Sequence, residues 1–143
     1  MNQQQVVEVE TTVDADAETV WKAMTSSTSP MLMGATMDTD WKPGSDYRLH
    51  GEWSGKPFED FGEIETADAP KELSFTHWSK TKTRPESYNY LRYTIEPKGK
   101  ASKVTLTQFG RGKEKSYDDK TKAEFKKTYG MMLDGLKKAA ETQ

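Results

Sequence analysis

Five consecutive segments between residues 46 and 108 alternate apolar and polar residues, and this series constrains the fold more than any other feature of the sequence. Alternation at period two is typical of half-buried β-strands. A further segment near the start of the chain, residues 6–13, has the same pattern. The connections between the five segments are too short to contain crossover helices, so the strands are predicted to pair as an antiparallel sheet.

The end of the chain has the period of a helix. Between residues 117 and 141, apolar residues recur at spacings of three and four, at Phe125, Tyr129, Met132, Leu136 and Ala139. At roughly 1.5 Å per residue such a helix would be about 36 Å long, which is enough to cross the predicted sheet. Two glycines inside it, Gly130 and Gly135, predict either a close backbone approach or a widened space beside the helix.

Shorter helices are predicted after the first strand. Asp16 can cap a helix over residues 17–25, and a second helical turn is predicted from Met31 to Met33. Ser116 is predicted to cap the long helix, with Asp119 in its first turn. Together these elements predict one α+β domain over residues 1–143. Its curved antiparallel sheet would have about six to seven strands around a long C-terminal helix, with two short helices after strand one.

Composition excludes several classes of function. The chain has no cysteine, which excludes disulfides, thiolate nucleophiles and sulfur-ligated metal sites and fits a cytoplasmic location. Lys and Arg total 21 against 23 Asp and Glu, and this balanced charge of -2 argues against nucleic acid as a partner. No stretch approaches the ~18 apolar residues that a membrane span needs. The hydrophobic fraction is only 33%, so the aromatic residues must supply much of the core.

Four stretches of the chain carry a family resemblance. They are Val13-Asp14-Ala15-Asp16-Ala17-Glu18-Thr19-Val20-Trp21-Lys22-Ala23-Met24, then Trp41-Lys42-Pro43-Gly44-Ser45, then Gly62-Glu63-Ile64 through Pro70 and Leu73 to Thr76, and finally Tyr129-Gly130 through Leu133 to Leu136-Lys137. In this order and spacing they resemble the activator of heat-shock protein 90 ATPase homologue-like family. That family belongs to the START-like (SRPBCC) superfamily, which has the helix-grip, or Bet v-like, fold. Many relatives have tryptophan after the glycine of the last helix, where this chain has Met131.

The resemblance implies a cavity between the sheet and the C-terminal helix, which the wider superfamily uses for lipids, polyketides and other apolar ligands. The first hypothesis is therefore that the protein binds a small, largely apolar or aromatic molecule, with no cofactor. The candidate ligand-binding residues are those that the strand and helix periods place on inward faces: Trp21, Tyr47, Trp53, Phe75, His77, Tyr93, Gln108, Tyr129 and Met132.

Two alternatives stay open. The family name implies a protein-interaction role, in which the domain binds a chaperone and raises its ATPase rate. A cyclase-like or hydrolase-like enzyme would instead use His77, or a tyrosine of the cavity, as acid or base. His77 is predicted to face inward, whereas His50 is predicted on the polar side of its strand.

Catalysis is nevertheless the less favoured hypothesis, because no catalytic set of residues stands out. The carboxylates between Glu59 and Glu65, Asp60 among them, are interpreted as a solvated face rather than a catalytic pair. No spacing typical of a metal site is present, and no nucleophile motif or phosphate-binding loop is found.

Overall fold

The computed structural model describes residues 3–112 and 117–142. These residues form seven strands, namely β1 Gln3–Val13, β2 Thr36–Asp38, β3 Asp46–Trp53, β4 Lys56–Asp68, β5 Glu72–Ser79, β6 Ser87–Lys98 and β7 Ala101–Gly112. They also form two α-helices, α1 Ala17–Met24 and α2 Asp119–Glu141, and one 3₁₀ turn, Pro30–Leu32. The curved antiparallel sheet, the long last helix and the short helix after β1 confirm the predicted α+β helix-grip fold.

The sheet is a meander in which only β1 departs from the order of the sequence. The strands lie in the order β1-β7-β6-β5-β4-β3-β2, and every neighbouring pair is antiparallel. Strand β2, with three residues at the edge, was not among the six strand signals of the sequence. Hydrogen-bonded hairpins therefore connect the meander from β2 to β7, while β1 pairs with β7 from the far end of the chain.

The register brings the apolar face of each strand to the concave side of the sheet. Phe75 lies opposite Ile64 on β4 and Leu91 on β6, and Tyr93 lies opposite Leu106 on β7. Helix α2 covers this side with its buried residues Leu133, Leu136 and Ala140. The apolar residues of the sheet, α1, the 3₁₀ turn and α2 pack into one main core.

Polar contacts fix α2 to the end of β1. The Lys137 Nζ atom donates to the carbonyl oxygen of Thr12 at 2.8 Å. The backbone N–H of Asp14 donates to a carboxylate oxygen of Glu141, also at 2.8 Å. The last two turns of the helix are thus held by the segment that leaves the first strand.

Both α-helices begin at an aspartate. As predicted, the side chain of Asp16 accepts a hydrogen bond from the backbone N–H of Thr19 at 2.8 Å and caps α1. Asp118 caps α2 in the same way, because its carboxylate accepts from the N–H of Thr121 at 2.8 Å. The cap predicted at Ser116 lies outside the described residues.

The two glycines of α2 have different surroundings. A Cβ atom on Gly135 would lie 2.8 Å from the carbonyl oxygen of Pro30, so the helix approaches the 3₁₀ turn closely there. A Cβ atom on Gly130 would meet nothing within 4 Å. Each glycine therefore corresponds to one of the two environments that the sequence predicted. No helix within residues 3–112 and 117–142 has the length and apolar character needed to cross a membrane.

Candidate functional site

A cavity of about 260 Å³ lies between the concave side of the sheet, the 3₁₀ turn and α2. Seven of the nine residues predicted to bind a ligand line it, namely Tyr47, Trp53, Phe75, His77, Tyr93, Tyr129 and Met132. Further lining residues that the sequence did not single out include Met31, Met33, Met37, Leu49, Phe58 and Leu91. An engineered apolar cavity of about 150 Å³ holds benzene, so this space has the size for a small organic molecule.

Three aromatic rings form one side of the cavity. Phe75 lies between the other two: the ring of Tyr47 meets it edge-on at 5.4 Å, and the ring of Tyr93 stacks on it at 5.8 Å. Gly62, opposite Tyr47 on β4, makes this arrangement possible, because a side chain there would collide with the Tyr47 ring and with the Thr76 carbonyl. The aromatic side of the cavity is thus built on β3, β5 and β6.

The hydroxyl groups of the two buried tyrosines differ in their partners. Tyr47 donates a hydrogen bond to the carbonyl oxygen of Thr76 at 2.6 Å. The hydroxyl of Tyr93 has no partner among the described residues, although the residue is completely buried. Burial raises the pKa of both hydroxyls well above the ordinary value of tyrosine, so both stay protonated and able to donate at neutral pH.

The polar pair of the cavity is His77 with Asp60. The Nε2 atom of His77 lies 2.8 Å from a carboxylate oxygen of Asp60, and both side chains are mostly buried. The inward orientation of His77 agrees with its predicted face. A carboxylate in this position fixes the ring orientation of the histidine, and an imidazole oriented in this way is typical of general acid–base sites.

The sequence predicted that Asp60 belongs to a solvated face. The structure corrects this, because Asp60 lines the cavity. Asp60 lies four residues before the buried Ile64, which pairs with Phe75, and therefore shares the inner side of β4 with it. Residues of equal parity share a face in a strand, so this parity was the available signal. The other histidine, His50, lies outside as predicted, where its Nε2 atom is 2.9 Å from a carboxylate oxygen of Asp38.

Two predicted site residues do not line this cavity. Trp21 is only partly buried and packs against the main core from α1. Gln108 is completely buried on β7, where its side-chain amide donates to Asn89 at 3.1 Å. Both face the interior, but a facing direction alone does not decide which part of the interior stays open.

Two exposed apolar side chains mark the mouth of the cavity. Trp53, at the end of β3, is 64% exposed, and Met33, after the 3₁₀ turn, is 41% exposed. Both are also lining residues. Large apolar groups exposed at a rim are typical of an entrance for an apolar ligand.

A second depression, of about 310 Å³, lies beside the charged face of β3. Four of the residues that line it are charged: Asp38, Asp46, Arg48 and Lys82. An apolar molecule would be poorly matched there, since it would displace water from charged groups. Nowhere in residues 3–112 and 117–142 do three or more His, Asp or Glu side chains gather as a metal site would require.

Comparison with known proteins identifies the family. The family model described as Activator of Hsp90 ATPase homolog 1-like protein matches residues 14–141. Among solved structures, ChR145 from Cytophaga hutchinsonii is 29% identical over 99% of this chain and 95% of its own, with a TM-score of 0.76. No curated protein sequence gives a significant match.

More distant structures show the same fold. Ara h 8.0201 is 14% identical over 99% of this chain and 100% of its own, with a TM-score of 0.76. DynU16, from the dynemicin biosynthetic locus, is 17% identical over 95% of this chain and 47% of its own, with a TM-score of 0.75. The helix-grip architecture is thus common to all three structures, and the match of the family model covers most of the chain. The chain therefore belongs to the activator of Hsp90 ATPase homolog 1-like family, within the START-like SRPBCC superfamily.

Proposed function

We propose that the protein binds a small, largely apolar molecule in the cavity between the sheet and α2. The observation that supports this most directly is the cavity of about 260 Å³, whose lining is dominated by aromatic, methionine and leucine side chains. Apolar walls with a few placed polar groups are typical of small-molecule sites. Scaling from a cavity of about 150 Å³ that holds benzene, the ligand would have roughly ten non-hydrogen atoms.

The first test is to find and measure a ligand. Native mass spectrometry of the protein purified from its own cells would detect a bound molecule, and a thermal-shift screen of small neutral aliphatic molecules and two-ring aromatics would detect binding in vitro. A ligand at a hundredfold excess over its Kd stabilises the folded state by about 2.7 kcal/mol. For a chain of this size that corresponds to a rise in Tm of roughly 5 to 10 °C.

Two neighbouring methionines of α2 offer a matched pair of variants. Met132 lines the cavity, whereas Met131 is 50% exposed and does not. Met132→Trp is expected to fill the cavity and abolish binding, and Met131→Trp is expected to leave binding unchanged. Equal ligand affinity in the two variants, or no bound molecule and no thermal shift in the wild type, would contradict the proposed site.

A second candidate function is proton-transfer catalysis on the bound molecule, and the contact between His77 and Asp60 favours it. In this case His77→Gln would abolish chemical turnover of the molecule that copurifies with the protein, while its binding would remain. Incubation in D₂O followed by mass spectrometry of that molecule distinguishes the two functions, because proton transfer to and from carbon would replace hydrogen by deuterium and raise the mass. An unchanged ligand mass with wild-type protein supports binding alone.

Activation of a chaperone ATPase is suggested only by the description of the family. A coupled ATPase assay with the chaperone of the same organism tests it. An increased rate that persists in the Met132→Trp variant would support a role independent of the cavity.

A further inference from the structure

Tyr93 is one of the residues that line the cavity, and its hydroxyl is the least explained polar group among them. Tyr93 is completely buried, its ring is held by stacking on Phe75, and its hydroxyl has no hydrogen-bond partner among the described residues. Leaving a buried donor unpaired is unfavourable, and a phenylalanine would fill the same space without that penalty. A bound molecule that reached this hydroxyl would give it the missing partner.

Tyr47 provides an internal comparison. It is buried to a similar degree, contacts the same Phe75 ring and lines the same cavity, but it donates to the Thr76 carbonyl at 2.6 Å. Within the described part of the chain, one of the two tyrosine hydroxyls thus has a hydrogen-bond partner and the other has none. Burial, with a smaller contribution from nearby Tyr129, raises the pKa of Tyr93, so its hydroxyl remains a donor.

The charges around the cavity restrict the molecule that could be this partner. Among the described residues that line the cavity, none is Lys or Arg, and two are acidic, Glu52 and Asp60. The one basic group, His77, is already paired with Asp60. An anionic ligand would lose its hydration without gaining a free cation, which disfavours carboxylates and phosphates.

We propose that the ligand is a neutral apolar molecule with an oxygen acceptor, such as a ketone, and that the Tyr93 hydroxyl donates a hydrogen bond to this oxygen. This inference rests on the proposed function, since it names the ligand class of the same cavity. It makes Tyr93 the specificity-determining residue, while the aromatic and methionine side chains supply most of the contact.

Two probes with the same two-ring skeleton test the inference, the hydrocarbon tetralin and the ketone 1-tetralone. Their Kd values would be measured by NMR titration of the wild type, of Tyr93→Phe and of the control Tyr90→Phe, a buried tyrosine of β6 that does not line the cavity. The quantity of interest is the ratio of the two Kd values, compared between proteins. This comparison cancels the cost of removing the carbonyl from water.

In Tyr93→Phe the preference for the ketone relative to tetralin is expected to fall by roughly tenfold, the value of one buried hydrogen bond. In Tyr90→Phe it is expected to stay within about twofold of the wild type, because Tyr90 lies outside the cavity. An unchanged ratio in Tyr93→Phe, with both probes bound, would overturn the inference and leave the proposed function intact. Failure of both probes to bind the wild type would contradict both.

Discussion

Replacing Tyr47 and Tyr93 by phenylalanine, one at a time, removes the same single hydroxyl from two neighbouring positions of the cavity. Both rings contact Phe75 and are buried to a similar extent. Phenylalanine keeps the ring, so the loss of ring packing is negligible in both variants. The hydroxyls differ only in their partners. We therefore expect the two substitutions to change the free energy of unfolding of the ligand-free protein in opposite directions.

The magnitudes follow from the hydrogen bonds. Tyr47→Phe removes a donor from the buried carbonyl of Thr76, with an expected loss of about 1 to 3 kcal/mol. Tyr93→Phe removes a buried donor that has no partner among the described residues, with an expected gain of about 1 kcal/mol. At roughly 2 to 4 °C per kcal/mol, Tm should fall by about 2 to 12 °C in the first variant and rise by about 2 to 4 °C in the second.

The assay is urea unfolding of the wild type and both variants, followed by far-UV circular dichroism, with thermal scans as a second measurement. Equal slopes of the free energy against urea concentration would show that the unfolded states are comparable. A loss of stability in Tyr93→Phe as large as that in Tyr47→Phe would refute the reasoning. It would mean that the Tyr93 hydroxyl is satisfied in the ligand-free protein, and it would also weaken the assignment of the ligand class.

Three other parts of the fold are expected to respond to single substitutions. Gly130→Ala should raise the free energy of unfolding by about 1 kcal/mol, because alanine favours the helix and the new methyl group meets open space. Gly135→Ala should give no such gain, since its methyl group would press on the carbonyl of the 3₁₀ turn; urea unfolding compares the two. Leu136→Ala, at a position with 0% exposure, should lower the free energy of unfolding by about 2 to 5 kcal/mol, seen as a lower urea midpoint. Hydrogen bonds from the side chain and backbone of Thr121 lower the pKa of Asp118. The stabilisation from this cap should therefore be complete above the ordinary pKa of 3.8 and disappear as the pH falls through the lowered value. In urea unfolding, Asp118→Ala should accordingly have a lower free energy of unfolding than the wild type at neutral pH, and the same free energy below the lowered pKa.

The strand faces could be predicted from the sequence because one side of this sheet is buried under α2. Alternation at period two then follows directly from burial, and it placed Phe75, His77 and Tyr93 on the inner side. Strand β2 could not be predicted, because Thr36–Asp38 is too short to show alternation. Its conformation comes from pairing with β3, which is a tertiary interaction.

The position of the cavity was less predictable than the faces. Period two tells which side of the sheet a residue occupies, but the curvature of the sheet and the path of α2 decide where the interior stays open. Gln108 therefore lies inside yet away from the cavity, and Met31 and Met37, which have no strong local pattern, line it. Asp60 was overlooked because a charge normally indicates solvent, whereas here His77 compensates for its burial.

The pairing of β1 with β7 has a consequence for how the protein reaches its native state. Joining Val13 to Ser102 closes a loop of about 90 residues, at an entropic cost of about 4 kcal/mol, against about 1 kcal/mol for the β6–β7 hairpin. The meander can therefore assemble from local hairpins, and the addition of β1 is expected to limit the folding rate. Because Thr12 and Asp14 hold the last turns of α2, the addition of β1 also fixes the helical wall of the cavity in place.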